Sequence, residues 1–291
     1  MDIHQEVTDK IVEMLEQGAG SFTMPWAYHG DTPFNPISGN HYNGFNILLL
    51  LVAQAERGYS HHHYASFKQW QSRGGKVRKG EKGNAIIFYK QRKIEKEVDG
   101  ETEEYTVPLI RKYYVFNIDQ LEVVPEQYSI PERPEVKFEQ DTVDDFVYHT
   151  GADIHVGGGK AYYMPSRDEI HMPSMNLFTG TETSSAEECY YSTLLHELTH
   201  WTGHVARCDR LGDKSKKGYA FEELVAEIGS AFLCSHLGVT PEPRLDHAQY
   251  LENWLQALKN DKRLIFKASA QADKAVKYLF NLVEVKTEEV A

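Results

Sequence analysis

At 291 residues the chain exceeds the usual size of one compact domain, so two domains are expected and a sizeable core can be buried. With 41% hydrophobic and 25% charged residues it lies outside the disordered, fibrous and disulfide-dense classes. The net charge of −12 argues against a uniformly nucleic-acid-binding surface, but the charge is uneven: 14 Lys+Arg face 16 Asp+Glu up to Pro125, and 17 face 27 beyond it.

The first part opens with a helix predicted over 3–17, with Ile3, Val7, Ile11, Met14 and Leu15 on one face and Gly18 as its stop. An irregular stretch through Met24-Pro25-Trp26 and residues 35–40 leads to a second helix over 43–57, ended by Gly58, and a short third one over 66–72. Strands follow at 85–89, 94–98, 105–107 and 113–116, the middle two joined through the hairpin signal Asp99-Gly100. Three prolines between Val123 and Lys137 in a polar stretch without apolar periodicity mark a linker. The expected domains are therefore residues 1–125 and 138–291, joined by 126–137. The second part reads as a helix over 141–150, short strands at 153–156, 161–164 and 169–172, and four helices over 185–202, 220–237, 246–259 and 269–283. Ser185 and Glu188 are spaced as a capping box. The fold class is α+β: a small α+β amino-terminal domain with an antiparallel sheet, and a helical carboxy-terminal domain with a short sheet.

The run His196-Glu197-Leu198-Thr199-His200 carries the clearest chemistry. Histidines four apart on a helix project from one face and can bind a single cation, and the adjacent glutamate stands where a carboxylate can act as general base in peptide hydrolysis. The motif is short enough to arise by chance on a surface helix, but Leu194, Leu195 and Leu198 place this helix against a core, where polar groups require partners. A catalytic zinc site needs a third ligand. Position 206 is alanine, where the metzincin pattern requires histidine. His204 follows Gly203 and is expected past the helix end. The remaining candidates lie on the helix with Glu222, Glu223 and Glu227. Glu223 is assigned as third ligand and Glu227 as the acid that orients a ligand histidine, with Glu222 as the alternative ligand, because an error of one residue turns a helix face by about 100°. The expected metal is Zn2+, with another divalent ion such as Mn2+ as the alternative. A strand at 161–164 or 169–172 is the candidate edge for an extended peptide.

Within the first part, residues 67–93 hold nine basic residues and one acidic. Lys76, Arg78, Lys79 and Lys82 lie around Gly74-Gly75, Gly80 and Gly83, among Trp26, Tyr42, Tyr64, Phe67, Trp70, Phe88 and Tyr89. Basic groups interleaved with aromatic rings suit single-stranded nucleic acid, and Lys68, Trp70, Lys76, Arg78, Lys79 and Lys82 are the candidate contacts. Core packing of the rings and solvation of the lysines is the competing account. His61-His62-His63 is read as an exposed loop, with a metal tract as the alternative.

No window approaches the ~18 consecutive apolar residues of a membrane span, and the first residues lack a signal-peptide pattern. Cys189, Cys208 and Cys234 form no CxxC pair and are expected to be reduced thiols. The expected location is the cytoplasm.

Several independent motifs carry a family resemblance. Pro25-Trp26, Asn35-Pro36-Ile37-Ser38-Gly39, Tyr42-Asn43-Gly44-Phe45-Asn46, residues 66–70, Gly75 to Gly83 and Val115-Phe116-Asn117 resemble the amino-terminal domain of the plasmid antirestriction ArdC family and of TraC-type plasmid primases. Residues 194–204 and 223–227 resemble the zincin metallopeptidase domain that accompanies it in ArdC. The resemblance implies a plasmid-borne protein that binds single-stranded DNA, with double-stranded DNA as a further candidate partner, and protects incoming DNA from host restriction. It also implies His196, His200 and Glu223 as ligands and Glu197 as catalytic base. Two readings follow: a metallopeptidase delivered to DNA-bound protein substrates, or a DNA-binding shield whose metal site is structural or vestigial.

Overall fold

A computed structural model of the chain describes residues 5, 8, 9, 12, 13, 32–98, 101–128, 138–181, 184–239 and 256–290, with the side chains of 55, 89–110 and 285–290 left aside. The Met24-Pro25-Trp26 segment, the Asp99-Gly100 turn, most of the proline-rich linker and most of the helix expected over 246–259 lie outside the described residues.

The five described residues near the amino terminus are all helical. Strands β1 (Phe34–Asn35) and β2 (Asn40–His41) form a small ribbon before helix α1 (Phe45–Arg57), which Gly58 ends in the left-handed conformation at φ 64°. Strand β3 (Tyr64–Ser66) runs into α2 (Phe67–Ser72), whose start is fixed by a reciprocal capping box between Ser66 and Gln69. Strand β4 (Lys76–Val77) precedes two long strands, β5 (Asn84–Val98) and β6 (Glu101–Asn117), and β7 (Leu121–Val123) returns to pair with β4. The larger sheet has the order β3-β6-β5, all antiparallel. The four short strands expected over 85–116 are thus two continuous ones, because no turn residue interrupts 84–98 and the ladder continues without a break from Asn84↔Val115 to Val98↔Glu101. The outer side of β5 is partly closed by Asn46 of α1, whose amide both donates to and accepts from the backbone of Ile87 at 2.8 Å, replacing one step of a missing strand.

In the second half, α3 (Gln140–Thr150) leads to β8 (Asp153–Val156), β9 (Tyr162–Met164) and β10 (Glu169–Met172). Their order is β8-β10-β9, with β8 and β10 parallel and β9 antiparallel at one edge. Helices α4 (Ala186–Trp201), α5 (Lys216–Leu237) and α6 (Leu264–Val290) complete the unit. The Ser185/Glu188 capping box is present. Helix α5 begins four residues earlier than periodicity suggests, because the Ser215 hydroxyl accepts from the Gly218 amide and starts the helix within a polar stretch.

One apolar core joins both halves of the sequence. Phe45, Leu48, Leu51 and Val52 of α1 pack with residues of α3 to α6, and Phe45 stacks on Phe266 with ring centroids 3.7 Å apart. Smaller clusters around Tyr64 and Trp70 hold the amino-terminal sheet. Among the described residues no helix is long and apolar enough to cross a membrane. The three consecutive histidines are not an exposed loop: His61 pairs with Asp119 and His63 is buried. Burial, with the neighbouring imidazole, pushes His62 and His63 down to about 4.

Candidate metal centre and nucleic-acid face

Helix α4 presents His196 and His200 on one side, and their Nε2 atoms come within 3.1 Å of each other. The helix is buried on several faces by Leu194, Leu195 and Leu198, so its polar residues turn towards the neighbouring helix rather than to solvent. That neighbour is α5. Glu223 Oε2 lies 3.7 Å from His196 Nε2, and its Oε1 lies 3.6 Å from His200 Nε2. One atom from each of the three residues falls in a single cluster no wider than 4.8 Å.

The far sides of both rings are also held. Glu227 Oε1 is 3.0 Å from His196 Nδ1, and Glu222 Oε1 is 3.0 Å from His200 Nδ1. A carboxylate beside Nδ1 favours a proton on that nitrogen, which would leave both Nε2 atoms available to a cation shared with Glu223. Glu222, weighed from the sequence as an alternative ligand, is turned away: it orients His200 and accepts two hydrogen bonds from Arg210, at 2.8 and 3.0 Å. Arg210 also donates to the Thr199 carbonyl and to Thr202 Oγ1, satisfying the end of α4.

The donor set fits a divalent cation. Glu197, Glu222, Glu223 and Glu227 are all buried around two imidazoles, an excess of negative charge that a dication would balance. Without it the groups pair with protons instead. Burial opposes the charged form of His200, but the Glu222 and Glu223 carboxylates outweigh it and push the ring up to about 10. Burial likewise opposes ionisation of Glu223, yet the two imidazoles hold it far below the usual carboxylate range. Glu197 points to the other side, where its Oε2 accepts from the Tyr163 amide at 2.9 Å. Tyr163 lies on β9, so the amide that holds Glu197 belongs to the free edge of the short sheet. The centre opens into a cleft of about 1170 Å³ lined by Ala161, Tyr162, Tyr163, Phe178 and Thr193 among others.

Past α4, Arg207 ties the helix to that sheet. It donates to the Trp201 carbonyl at 2.7 Å, lies 3.8 Å over the Trp201 ring, and forms a two-pronged pair with Asp168 in the β9–β10 turn. Asp168 in turn accepts from the Tyr163 hydroxyl at 2.7 Å. Neither arginine was singled out by the sequence, where an Arg three residues after another past a helix end carries no distinctive pattern. His204 lies beyond the helix and outside the converging set.

The candidate nucleic-acid contacts divide. Lys68, Lys79 and Lys82 are exposed, Lys76 pairs with Glu122 at 2.8 Å, and Arg78 is engaged by Glu81 and the carbonyls of Asp119 and Leu121. Trp70 requires correction as a stacking platform. It is fully buried, donates its indole N–H to the Phe116 carbonyl, and packs with Ala65, Ile118 and Leu121, because the large indole fills the space at the centre of this cluster. Tyr64 is equally buried, whereas Phe67 and Phe88 are exposed, as are Tyr113 and Tyr114, which the sequence reading passed over. Phe67 meets Phe116 edge-on with centroids 6.0 Å apart. Gly83 lies so close to this surface that an added Cβ would come within 2.9 Å of Tyr114 Cβ. Gly83, at the end of the glycine loop, therefore packs against the aromatic face. Trp26 and the Tyr89 side chain lie outside the described residues.

Two family models match the chain. A family model described as the N-terminal domain of anti-restriction factor ArdC covers residues 1–116, and one described as a zincin-like metallopeptidase covers residues 141–271. Protein y4eC of Sinorhizobium fredii (strain NBRC 101917 / NGR234) is 34% identical over 290 residues, spanning 96% of this chain and 91% of its own length. DNA primase TraC of Escherichia coli is 32% identical over 307 residues, which is 98% of this chain and 28% of the primase. Among solved structures, the antirestriction protein ArdC from plasmid R388 is 40% identical. Its metal-free form aligns over 98% of this chain and 99% of its own with a TM-score of 0.82, and its Mn(II)-bound form aligns over 97% and 98% with a TM-score of 0.79. The zincin-like fold implies a divalent metal.

Proposed function

Because the chain belongs to the ArdC family of antirestriction proteins, we propose that it binds single-stranded DNA through its amino-terminal domain and carries a zinc-dependent peptidase centre in its second domain, protecting incoming DNA from host restriction. The observation that carries the peptidase half is the convergence of His196, His200 and Glu223, with Glu197 held beside them by the amide of an edge strand. His196, His200 and Glu223 would hold the metal, with Zn2+ as the expected ion and Mn2+ as an alternative. When bound, the metal supplies Lewis-acid polarisation of a carbonyl oxygen.

This chain's own residues supply the rest. Glu227 and Glu222 keep the two imidazoles in the tautomer that presents Nε2. Glu197 accepts a proton from the attacking water and passes it to the leaving amine. The edge strand β9 orients an extended peptide along the cleft, and the Tyr163 amide on that same edge fixes the glutamate against it. For DNA, the exposed lysines Lys68, Lys79 and Lys82 and the rings of Phe67 and Tyr114 supply backbone attraction and stacking. The chain spans a small part of the primase relatives, and no priming activity is proposed.

The alternative reading is a DNA-binding shield whose metal site is structural. Glu197→Gln separates the two. The peptidase reading expects a protein that retains metal and DNA affinity and loses peptide cleavage together with antirestriction. Unchanged antirestriction in this variant would establish the shield.

A further inference from the structure

The outer face of the short sheet carries a second constellation that the peptidase centre does not use. In the parallel register of β8 and β10, Asp153 lies directly opposite Glu169 and His155 directly opposite His171. Side chains two apart on a strand share a face, so all four groups stand on one side of the sheet. The opposite side carries Ile170 and Met172, both fully buried in the core. Each strand contributes one carboxylate and one imidazole in contact: Asp153 Oδ1 is 3.2 Å from His155 Nε2, and Glu169 Oε2 is 3.2 Å from His171 Nε2.

Two features distinguish this face from an ordinary solvated one. Like charges directly opposite one another across a sheet repel, and here an acid faces an acid. Among the described residues, the ion-pair partners of Asp153 and Glu169 are these imidazoles, with no Lys or Arg at either carboxylate. The rings are also ordered by stacking. His171 lies between His155, with centroids 5.2 Å apart at 19°, and Tyr162 of β9, 4.7 Å apart at 13°. Donor atoms of Asp153, His155 and Glu169 already lie within 4.8 Å of one another.

We propose that Asp153, His155 and Glu169, with His171 as a fourth donor, bind a second divalent transition-metal ion on the outer face of the β8-β10-β9 sheet. Imidazole with carboxylate suits Zn2+, Ni2+ or Cu2+ better than Mg2+ or Ca2+, which prefer all-oxygen shells. Glu169 and His171 are mostly shielded and fixed, while Asp153 and His155 are open to solvent, so the ion has both an anchored side and an entry path. An ion there neutralises the facing acids and ties β8 to β10, the strand on which β9 and its Glu197-binding amide are built. This site stands independently of the peptidase reading.

The test is Zn2+ stoichiometry by equilibrium dialysis and elemental analysis on the full chain. Wild type should bind two equivalents. D153N/H155A, with both changes at exposed positions, should bind one, and H200N/E223Q should also bind one, with that remaining equivalent lost when the two pairs of changes are combined. Thermal unfolding gives a second readout: Zn2+ should still raise the melting temperature of H200N/E223Q, and His155→Ala should abolish that increment. A single wild-type equivalent that D153N/H155A keeps and H200N/E223Q loses, or a second equivalent that survives D153N/H155A, would overturn the proposal. Loss of metal from the peptidase centre alone would leave the sheet site bound, so the two failures are distinguishable.

Discussion

Gly229 on α5 faces Thr199 on α4 so closely that a Cβ added to the glycine would lie 2.5 Å from the threonine Cγ2. This contact sets the separation of the two helices that carry the metal-binding set. Glu223 and Glu227 reach the histidines because the helix axes approach within the space a glycine leaves.

Gly229→Ala should therefore push the helices apart or strain both, costing about 1–3 kcal/mol of stability. It should also weaken metal binding without removing any ligand. Denaturant unfolding with a Zn2+ titration reads both, and an unchanged affinity would show that the helix separation is set elsewhere.

Arg210 joins Glu222 to the end of the motif helix, with its side chain almost completely buried. Arg210→Ala leaves Glu222 without its guanidinium partner and the Thr199 carbonyl without its donor, and should cost about 3–5 kcal/mol. Lysine should recover only part of this, since a single ammonium cannot reproduce the two-pronged contact. The comparison is made by urea unfolding of the metal-free protein.

The Arg207 guanidinium beside Asp168 holds its carboxyl below the usual range against the opposing effect of burial, and the Tyr163 hydroxyl adds to this. A carboxyl depressed on folding contributes stability that is fully present above its unfolded pKa of about 3.9 and is lost as pH falls through the lower folded value. The stability difference between wild type and Asp168→Asn should thus be constant near neutrality and shrink below about pH 4. Thermal melts across that range check it. A difference that stays constant down to pH 2 would mean that the ionised carboxylate contributes nothing.

On the amino-terminal domain, replacing Lys68, Lys79 and Lys82 together by glutamine should weaken single-stranded DNA binding and flatten its salt dependence by roughly 2 in log–log slope, the value for three phosphate contacts. Phe67→Ala and Tyr114→Ala should each cost about 1–3 kcal/mol of binding if a base stacks there. Trp70→Ala should instead cost about 3–5 kcal/mol of folding stability, since the indole is core. Fluorescence anisotropy at several salt concentrations, paired with unfolding curves, separates these effects.

The sequence by itself determined what depends on neighbours along the chain. The four-residue spacing of His196 and His200 puts both on one side of α4, the capping pairs at Ser66 and Ser185 start their helices, and Gly58 ends α1, because helix geometry and cap chemistry are local. Only the tertiary structure decided which of Glu222 and Glu223 faces the Nε2 atoms, since that depends on the rotation of α5 against α4 and on Arg210 drawing Glu222 aside. It likewise decided that Trp70 is core while Phe67 and Tyr114 are surface, and that Asp153 stands opposite Glu169. An aromatic ring can serve as core or as binding surface with equal chemistry, and a parallel strand pairing joins residues that local periodicity cannot register. Which role each takes is settled when the elements pack and the buried volume is filled.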